Sequence, residues 1–155
     1  MDPKEILFSE NFQKFSKALG QIFYMQISEM TSLYEKKKVD LREAIKQDWV
    51  IGYIIGTINF YYQVSSYSKF QDGYFYIIAG LLGSYKIIPA KDKMAEYKDF
   101  FEEVEKKIDK QKGEMFDGYM KGQEDCKINA ENKTLNKEGR KISLQRYLLN
   151  YVKEK

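Results

Sequence analysis

The stretch DWVIGYIIGTINFYYQ, residues 48–63, opens with an acid and then runs through apolar and aromatic residues almost without interruption. Gly52 and Gly56 stand four apart in it, beside Tyr53. A segment that is apolar on nearly every face is the centre of a core or lies in a membrane. It is 16 residues long as the run Trp49–Val64, and as a helix it reaches ~24 Å, short of the ~30 Å hydrocarbon layer. It also carries Asn59 and Gln63. The length therefore favours a buried helix, and the rest of the chain is read around it.

The flanking segments also have helical spacing. Phe8, Phe12, Phe15, Leu19, Ile22, Phe23, Ile27, Met30, Leu33 and Tyr34 fall at steps of three and four, which predicts a first helix from Phe8 to about Glu35. Ser9 is its N-cap, and Gly20 bends it or admits a neighbour. After the polar junction 35–38, Asp40 caps a second helix running from Leu41 to about Val64, with Glu43 completing a capping-box pattern. A loop over Ser65–Asp72 leads to a third, again apolar, segment at Gly73–Tyr85. Helix is expected there, with strand as the alternative. Pro89 then suits the first turn of a fourth helix.

That fourth helix carries a seam of Met94, Tyr97, Phe101, Val104, Ile108, Met115, Gly118 and Gly122. Unbroken to Lys127 it is roughly 57 Å long, with Gly113 and Gly118 as the points where it breaks or kinks. INAENKTLNKEG at 128–139 reads as a loop. A short last helix, Ser143–Val152, is capped by Ser143 and turns Leu144, Tyr147, Leu148, Tyr151 and Val152 to one side. The expectation is one all-α domain over 1–155: a bundle of about five helices, two of them central and hydrophobic, one long in the C-terminal half. Residues 128–155 form a basic, loop-containing end.

The glycine pattern recurs. EMFDGYMKGQED at 114–125 repeats GYxxG, so that Gly118, Tyr119 and Gly122 match Gly52, Tyr53 and Gly56, and Asp125 matches Asn59. Only Gly, Tyr and Gly are identical across twelve positions, a match that chance also produces. Glycines at i and i+4 make a flat stripe on which another backbone can approach closely. For Gly52, Tyr53 and Gly56 the expectation is a helix crossing inside the chain. Gly118, Tyr119, Gly122 and Asp125 sit among Lys121, Gln123 and Glu124, which places water nearby. They are therefore the first candidates for contact with a second molecule. Tyr61, Tyr62 and Tyr67, in a chain with 13 tyrosines and 10 phenylalanines, join them as a candidate aromatic patch.

Composition narrows the chemistry. There is no histidine, so Ser-His-Asp and Cys-His machinery is impossible within the chain. Cys126 is the single cysteine, which rules out an intramolecular disulfide and reads as a small, half-buried residue. Asp117, Glu124 and Asp125 are the one place where carboxylates gather beside glycines and an aromatic, but no spacing there matches a catalytic set. No catalytic residue, cofactor or metal is expected.

The net charge of +3 is unevenly placed: 132–155 hold seven Lys/Arg against two Asp/Glu. The tyrosines have only Lys69 near them in sequence, so nucleic acid is not an expected partner. The opening MDPKEILFSENFQKF lacks a basic stretch followed by an apolar one. It is not a signal peptide as written, and the expectation is a cytoplasmic chain, or a periplasmic or exported one if a leader has been removed.

The helix bearing Gly52, Tyr53, Gly56 and Asn59 resembles a segment of the small helical periplasmic immunity proteins that neutralise secreted amidase effectors. The resemblance covers about a dozen residues. Those proteins carry paired cysteines and a leader, which this chain lacks as written. It implies a small helical inhibitor of a partner protein. The favoured reading is a non-catalytic protein–protein interaction module, an adaptor, inhibitor or immunity-like protein, with self-association as one form. The second is a membrane-associated protein using 49–64 and 73–88. The third is a ligand-binding or enzymatic site around Asp117, Glu124 and Asp125.

Overall fold

In the computed structural model the described residues are 5, 9–67, 78, 94–132 and 143–155, with backbone alone at 94–97 and 129–132. Helix is the only regular structure among them, and the protein is an all-α bundle. α1 spans Glu10–Ser28. Ser9 is extended and its hydroxyl accepts the Phe12 N–H at 3.2 Å, as the sequence suggests. Phe12, Leu19, Phe23 and Ile27 form its buried face.

The first helix is not continuous to Glu35. At Met30 the N–H bonds back to Ile27, three residues away, and a separate α2 follows at Thr31–Lys37. It ends on Lys38 in the left-handed region, φ 57°. No glycine or proline marks the break at Glu29–Met30, and what lies beyond it is a tertiary anchor. Tyr34 is buried and donates its hydroxyl proton to the Leu148 carbonyl at 2.6 Å. Gly20 lies within the helix with open space beside it, so it is not a point of close approach.

The second expected helix is also two. Asp40 accepts the Arg42 N–H at 2.9 Å and caps a short α3, Leu41–Ile45. Glu43 pairs with Lys46 instead of reaching back to the cap. Gln47 is extended, and α4, Asp48–Gln63, begins after it with Asp48 in its first turn, where the helix dipole favours a negative charge. Val50 through Ile58 are all buried. Of the third apolar segment only Ile78 is described, helical and buried, so the helix-or-strand alternative for 73–85 and the start at Pro89 lie outside the described residues.

The long fourth helix breaks at the first of its two candidate glycines, Gly113. α5 covers Met94–Asp109 and α6 covers Glu114–Asn132. Between them Gln111 and Gly113 take φ of 53° and 95°, and α5 packs back against α6. Gly118 leaves α6 unbroken, and 128–132 continue that helix where a loop is expected. α7, Ser143–Lys153, buries Leu144, Leu148 and Val152. Three such side chains are worth about 1.5–3 kcal/mol each. That is what holds an 11-residue helix too short to persist alone.

The two GYxxG helices meet each other. A Cβ added to Gly52 would run into the Met115 carbonyl, and one added to Gly56 into the Tyr119 carbonyl. From the other side, Gly118 lies against the Trp49 carbonyl and Gly122 against that of Tyr53. Both contact series advance in the same direction, so α4 and α6 run parallel through the crossing. Trp49 matches Met115 and Tyr53 matches Tyr119 in the repeat, so the crossing has an approximate internal two-fold. Each glycine aims a Cα–H at a carbonyl oxygen, the geometry of a weak Cα–H···O contact.

Candidate functional site

The two-fold extends to the polar residues that end each motif. Tyr53 on α4 donates to Asp125 Oδ2 on α6 at 2.6 Å. At the equivalent place Tyr119 on α6 accepts from Asn59 Nδ2 on α4, also at 2.6 Å. Each tyrosine thus reaches across the crossing to the amide or carboxylate that closes the partner motif. Sequence reading singles out all of these residues but does not pair them.

The two corners are filled differently. Asp125, 5% exposed, also accepts the Ser143 N–H at 3.3 Å and the Ser143 hydroxyl at 3.1 Å. It therefore caps α7 from another helix. Ser143 is a donor there, not the capping acceptor that the sequence suggests. Trp49 lies in a stack between Tyr53 and Tyr147, with centroids 5.2 and 4.6 Å apart and the Tyr147 ring tilted by 2°. Burial raises the ionisation of Tyr53 far above its ordinary value, and its bond to Asp125 adds to this. Tyr147 is raised as well, again chiefly by burial.

Beside Asn59 and Tyr119 the surface opens into a groove of about 350 Å³. Ile55, Ile78, Phe101, Val104 and Ile108 give it apolar walls, and α5 brings Glu105 and Asp109 to it, one turn apart. Tyr119 uses its oxygen to accept from Asn59, so its own proton and Asn59 Oδ1 have no further partner among the described residues. A groove with apolar walls and one donor–acceptor pair is suited to hold and orient a ligand group.

The candidate partner-contact residues fare differently from expectation. Gly118, Gly122 and Asp125 are buried in the crossing within the chain, because α4 supplies the close backbone that their stripe accommodates. They do not form a surface for a second molecule. Tyr119 lines the groove. Tyr62 is buried and Tyr61 half-buried against the core. Tyr67 packs on Phe12 and Phe15, with centroids at 5.1 and 5.4 Å. These three tyrosines do not form an exposed aromatic patch.

The acidic trio does not converge. Asp117 is exposed, Glu124 pairs with Lys121 at 3.3 Å, and Asp125 is committed to Tyr53 and Ser143. Among the described residues no cluster of three metal-binding side chains occurs, and no helix is long and apolar enough to cross a membrane. Cys126 is buried, and burial pushes its thiol up to about 11, with hydrogen bonds to Thr57 and Tyr61 opposing the rise.

The residues that sequence reasoning passes over are Asn59 as half of a polar pair and the α5 wall, Phe101, Val104 and Ile108. Their signal was present as the Asn59–Asp125 match and as the apolar seam. No family model, no curated protein and no solved structure matches this chain.

Proposed function

We propose that the chain is a non-catalytic protein–protein interaction module, in the manner of an adaptor, inhibitor or immunity-like protein. The observation that supports this reading is the groove beside Asn59 and Tyr119. It has apolar walls over a donor–acceptor pair and lies beside a crossing whose two glycine stripes pack on each other. Self-association is the case in which the partner is a second copy.

The test compares the chain with Val104→Arg, which puts a charge into the groove wall. Light scattering gives the oligomeric state, and affinity capture followed by mass spectrometry gives bound proteins. The expectation is a specific bound protein, or a second copy, lost in Val104→Arg while the helical circular-dichroism spectrum is kept. A monomer with no bound protein, or binding that Val104→Arg leaves intact, would exclude this groove as the binding site.

A further inference from the structure

Only residues 110–113 separate α5 from α6, and helical bonding is interrupted over a still shorter stretch. Lys110 N–H keeps its bond to the Lys106 carbonyl, and Asp117 N–H already bonds to that of Gly113. Between them Gln111 bonds back three residues, to Ile108, and sits at φ 53°, a region unfavourable to any residue with a side chain. Gly113 follows at φ 95°. Packing does not fix this turn. Residues 109–114 are exposed, and a methyl group at Gly113 would have open space around it.

The faces on either side of the turn are in step. Phe101, Val104 and Ile108 are the inward residues of α5, and Met115, Gly118 and Gly122 are those of α6. Ile108 and Met115 stand two helical turns apart in sequence, so in a straight helix all six lie along one side. Lys110, Gln111 and Lys112 are good helix formers. The same residues therefore support two backbones: the turn seen here, and one helix running from α5 into α6.

We infer that the 110–113 turn is a hinge through which two copies of the chain exchange the segment from α6 onward. In the straightened form α5 stays in its own bundle, and α6 packs on α4 of the second copy. An identical chain fits there because its α6 brings Gly118 and Gly122 to the Trp49 and Tyr53 carbonyls and Asp125 to the Tyr53 hydroxyl. α7 travels with α6, since Ser143 is bonded to Asp125. The contacts of the crossing are all remade between chains, and the backbone differs only at the turn. A short connection under strain favours such an exchange. The inference goes beyond the binding reading above and does not use the groove.

The full chain is unfolded in guanidinium, refolded at millimolar concentration and separated by size-exclusion chromatography with light scattering. A dimer that persists on dilution is expected, because exchange requires α6 to leave α4. Gly113→Ala strains the turn and favours the helix, and should raise the dimer-to-monomer ratio about tenfold. Gln111→Gly relaxes the turn and weakens the helix, and should lower the ratio by about the same factor. Thr57→Cys then reports which chain supplies α6. Thr57 and Cys126 are hydrogen-bonded across the crossing. Oxidation of this variant links α4 to α6 within one chain in the monomer and between two chains in the exchanged dimer, which then survives a denaturing gel without reductant. If the monomer does not form the bond either, a dimer refolded from labelled and unlabelled chains decides the matter. Isotope-filtered NOEs between Gly56 of one copy and Tyr119 of the other are expected only after exchange.

Three results overturn the inference. One is a parent chain that stays wholly monomeric after refolding. Another is a dimer whose α4–α6 contacts lie within each chain by the disulfide or NOE measurement. The third is a ratio that the two hinge substitutions leave unchanged or move in the same direction. A dimer lost in Val104→Arg but indifferent to the hinge would remove this inference and support self-association through the groove. Capture of a different protein by a wholly monomeric chain would remove it and leave the binding reading standing.

Discussion

Asp125 joins three helices at once. It belongs to α6, takes the Tyr53 hydroxyl from α4, and takes the first N–H and hydroxyl of α7. Asparagine offers one acceptor oxygen where the carboxylate offers two, and it turns an N–H₂ toward a donor. Asp125→Asn should therefore cost about 1–3 kcal/mol, the range for bonds to a charged group in a buried site. Chemical denaturation read by Trp49 fluorescence checks this; a loss below ~0.5 kcal/mol would mean that the bonds are not made. The half-buried Lys107–Asp48 pair at the bundle surface, at 3.1 Å, should contribute about 1 kcal/mol or less when Lys107 is replaced by alanine.

Cys126 gives a second test at this scale. With its thiol near 11 rather than the ordinary 9.0, it carries on the order of 100-fold less thiolate at neutral pH. A thiol reagent should label it slowly in the native chain and rapidly once guanidinium unfolds it; equal rates would contradict its burial.

The same shifts fix the sign of the pH dependence. Cys126, Tyr34 and Tyr53 are all raised by burial, so in alkali the unfolded chain releases protons that the folded chain retains. Their stabilisation is complete below the unfolded values, 9.0 for the thiol and 10.0 for the phenols, and is lost as pH rises beyond them. Denaturation midpoints should be level from pH 7 to about 9 and fall above it. A midpoint that climbs between pH 9 and 11 would refute this account of the buried hydroxyls.

Among the elements, α7 is the one most dependent on its surroundings. It is 11 residues long and is held by Leu144, Leu148 and Val152, by the Asp125 cap, by the Tyr34 bond to Leu148 and by the Trp49–Tyr147 stack. Tyr147→Ala should expose one face of Trp49 and shift its emission to the red before global unfolding, since Trp49 is the chain's single tryptophan. An unchanged spectrum would mean that the ring is not stacked. The apolar face of α7 and the buried character of α4 were both legible in the sequence, because period and composition are local properties. The Ser9 cap and the Asp40 cap were legible for the same reason.

The breaks at Met30 and Gln47 were not. Neither has a glycine or proline, and each is tied to tertiary contacts that no local window contains. Asp48 in the first turn after Gln47 meets Lys107 of α5, and Tyr34 beyond Met30 meets α7. The break between α5 and α6 was half legible. Gly113 takes the positive φ that glycine permits, whereas Gly118, equally plausible as a breaker, is needed for packing instead.

At the scale of the molecule, the organising feature is one motif written twice and folded onto itself. The sequence displayed both copies and even the Asn59–Asp125 match. Water-loving neighbours of the second copy, Lys121, Gln123 and Glu124, pointed it outward. They do not govern which way Gly118 and Gly122 face, since a helix presents residues four apart on one side and its neighbours on others. The groove was not legible for a related reason. It needs the side chains of α4, α5 and α6 brought together by the turn at Gln111–Gly113, a long-range outcome. What the sequence did carry was the pairing logic: two tyrosines, one amide and one carboxylate at matching positions.

The central claim is that these four glycines are where the two helices of the repeat touch. The most direct measurement is thermal unfolding of Gly56→Ala and Gly122→Ala beside Gly20→Ala. Added methyl groups at Gly56 and Gly122 meet backbone, with Tyr119 Cα at 3.0 Å and Thr57 N at 3.0 Å respectively, and backbone cannot swing aside. Overpacking of this kind costs about 1–3 kcal/mol or more, so both melting temperatures should fall by several degrees. Gly20 has nothing within 4 Å, and alanine there should raise stability by up to about 1 kcal/mol through helix propensity alone. If Gly56→Ala and Gly122→Ala melt like the parent, or gain as Gly20→Ala does, the two helices do not cross through their glycines and the account fails.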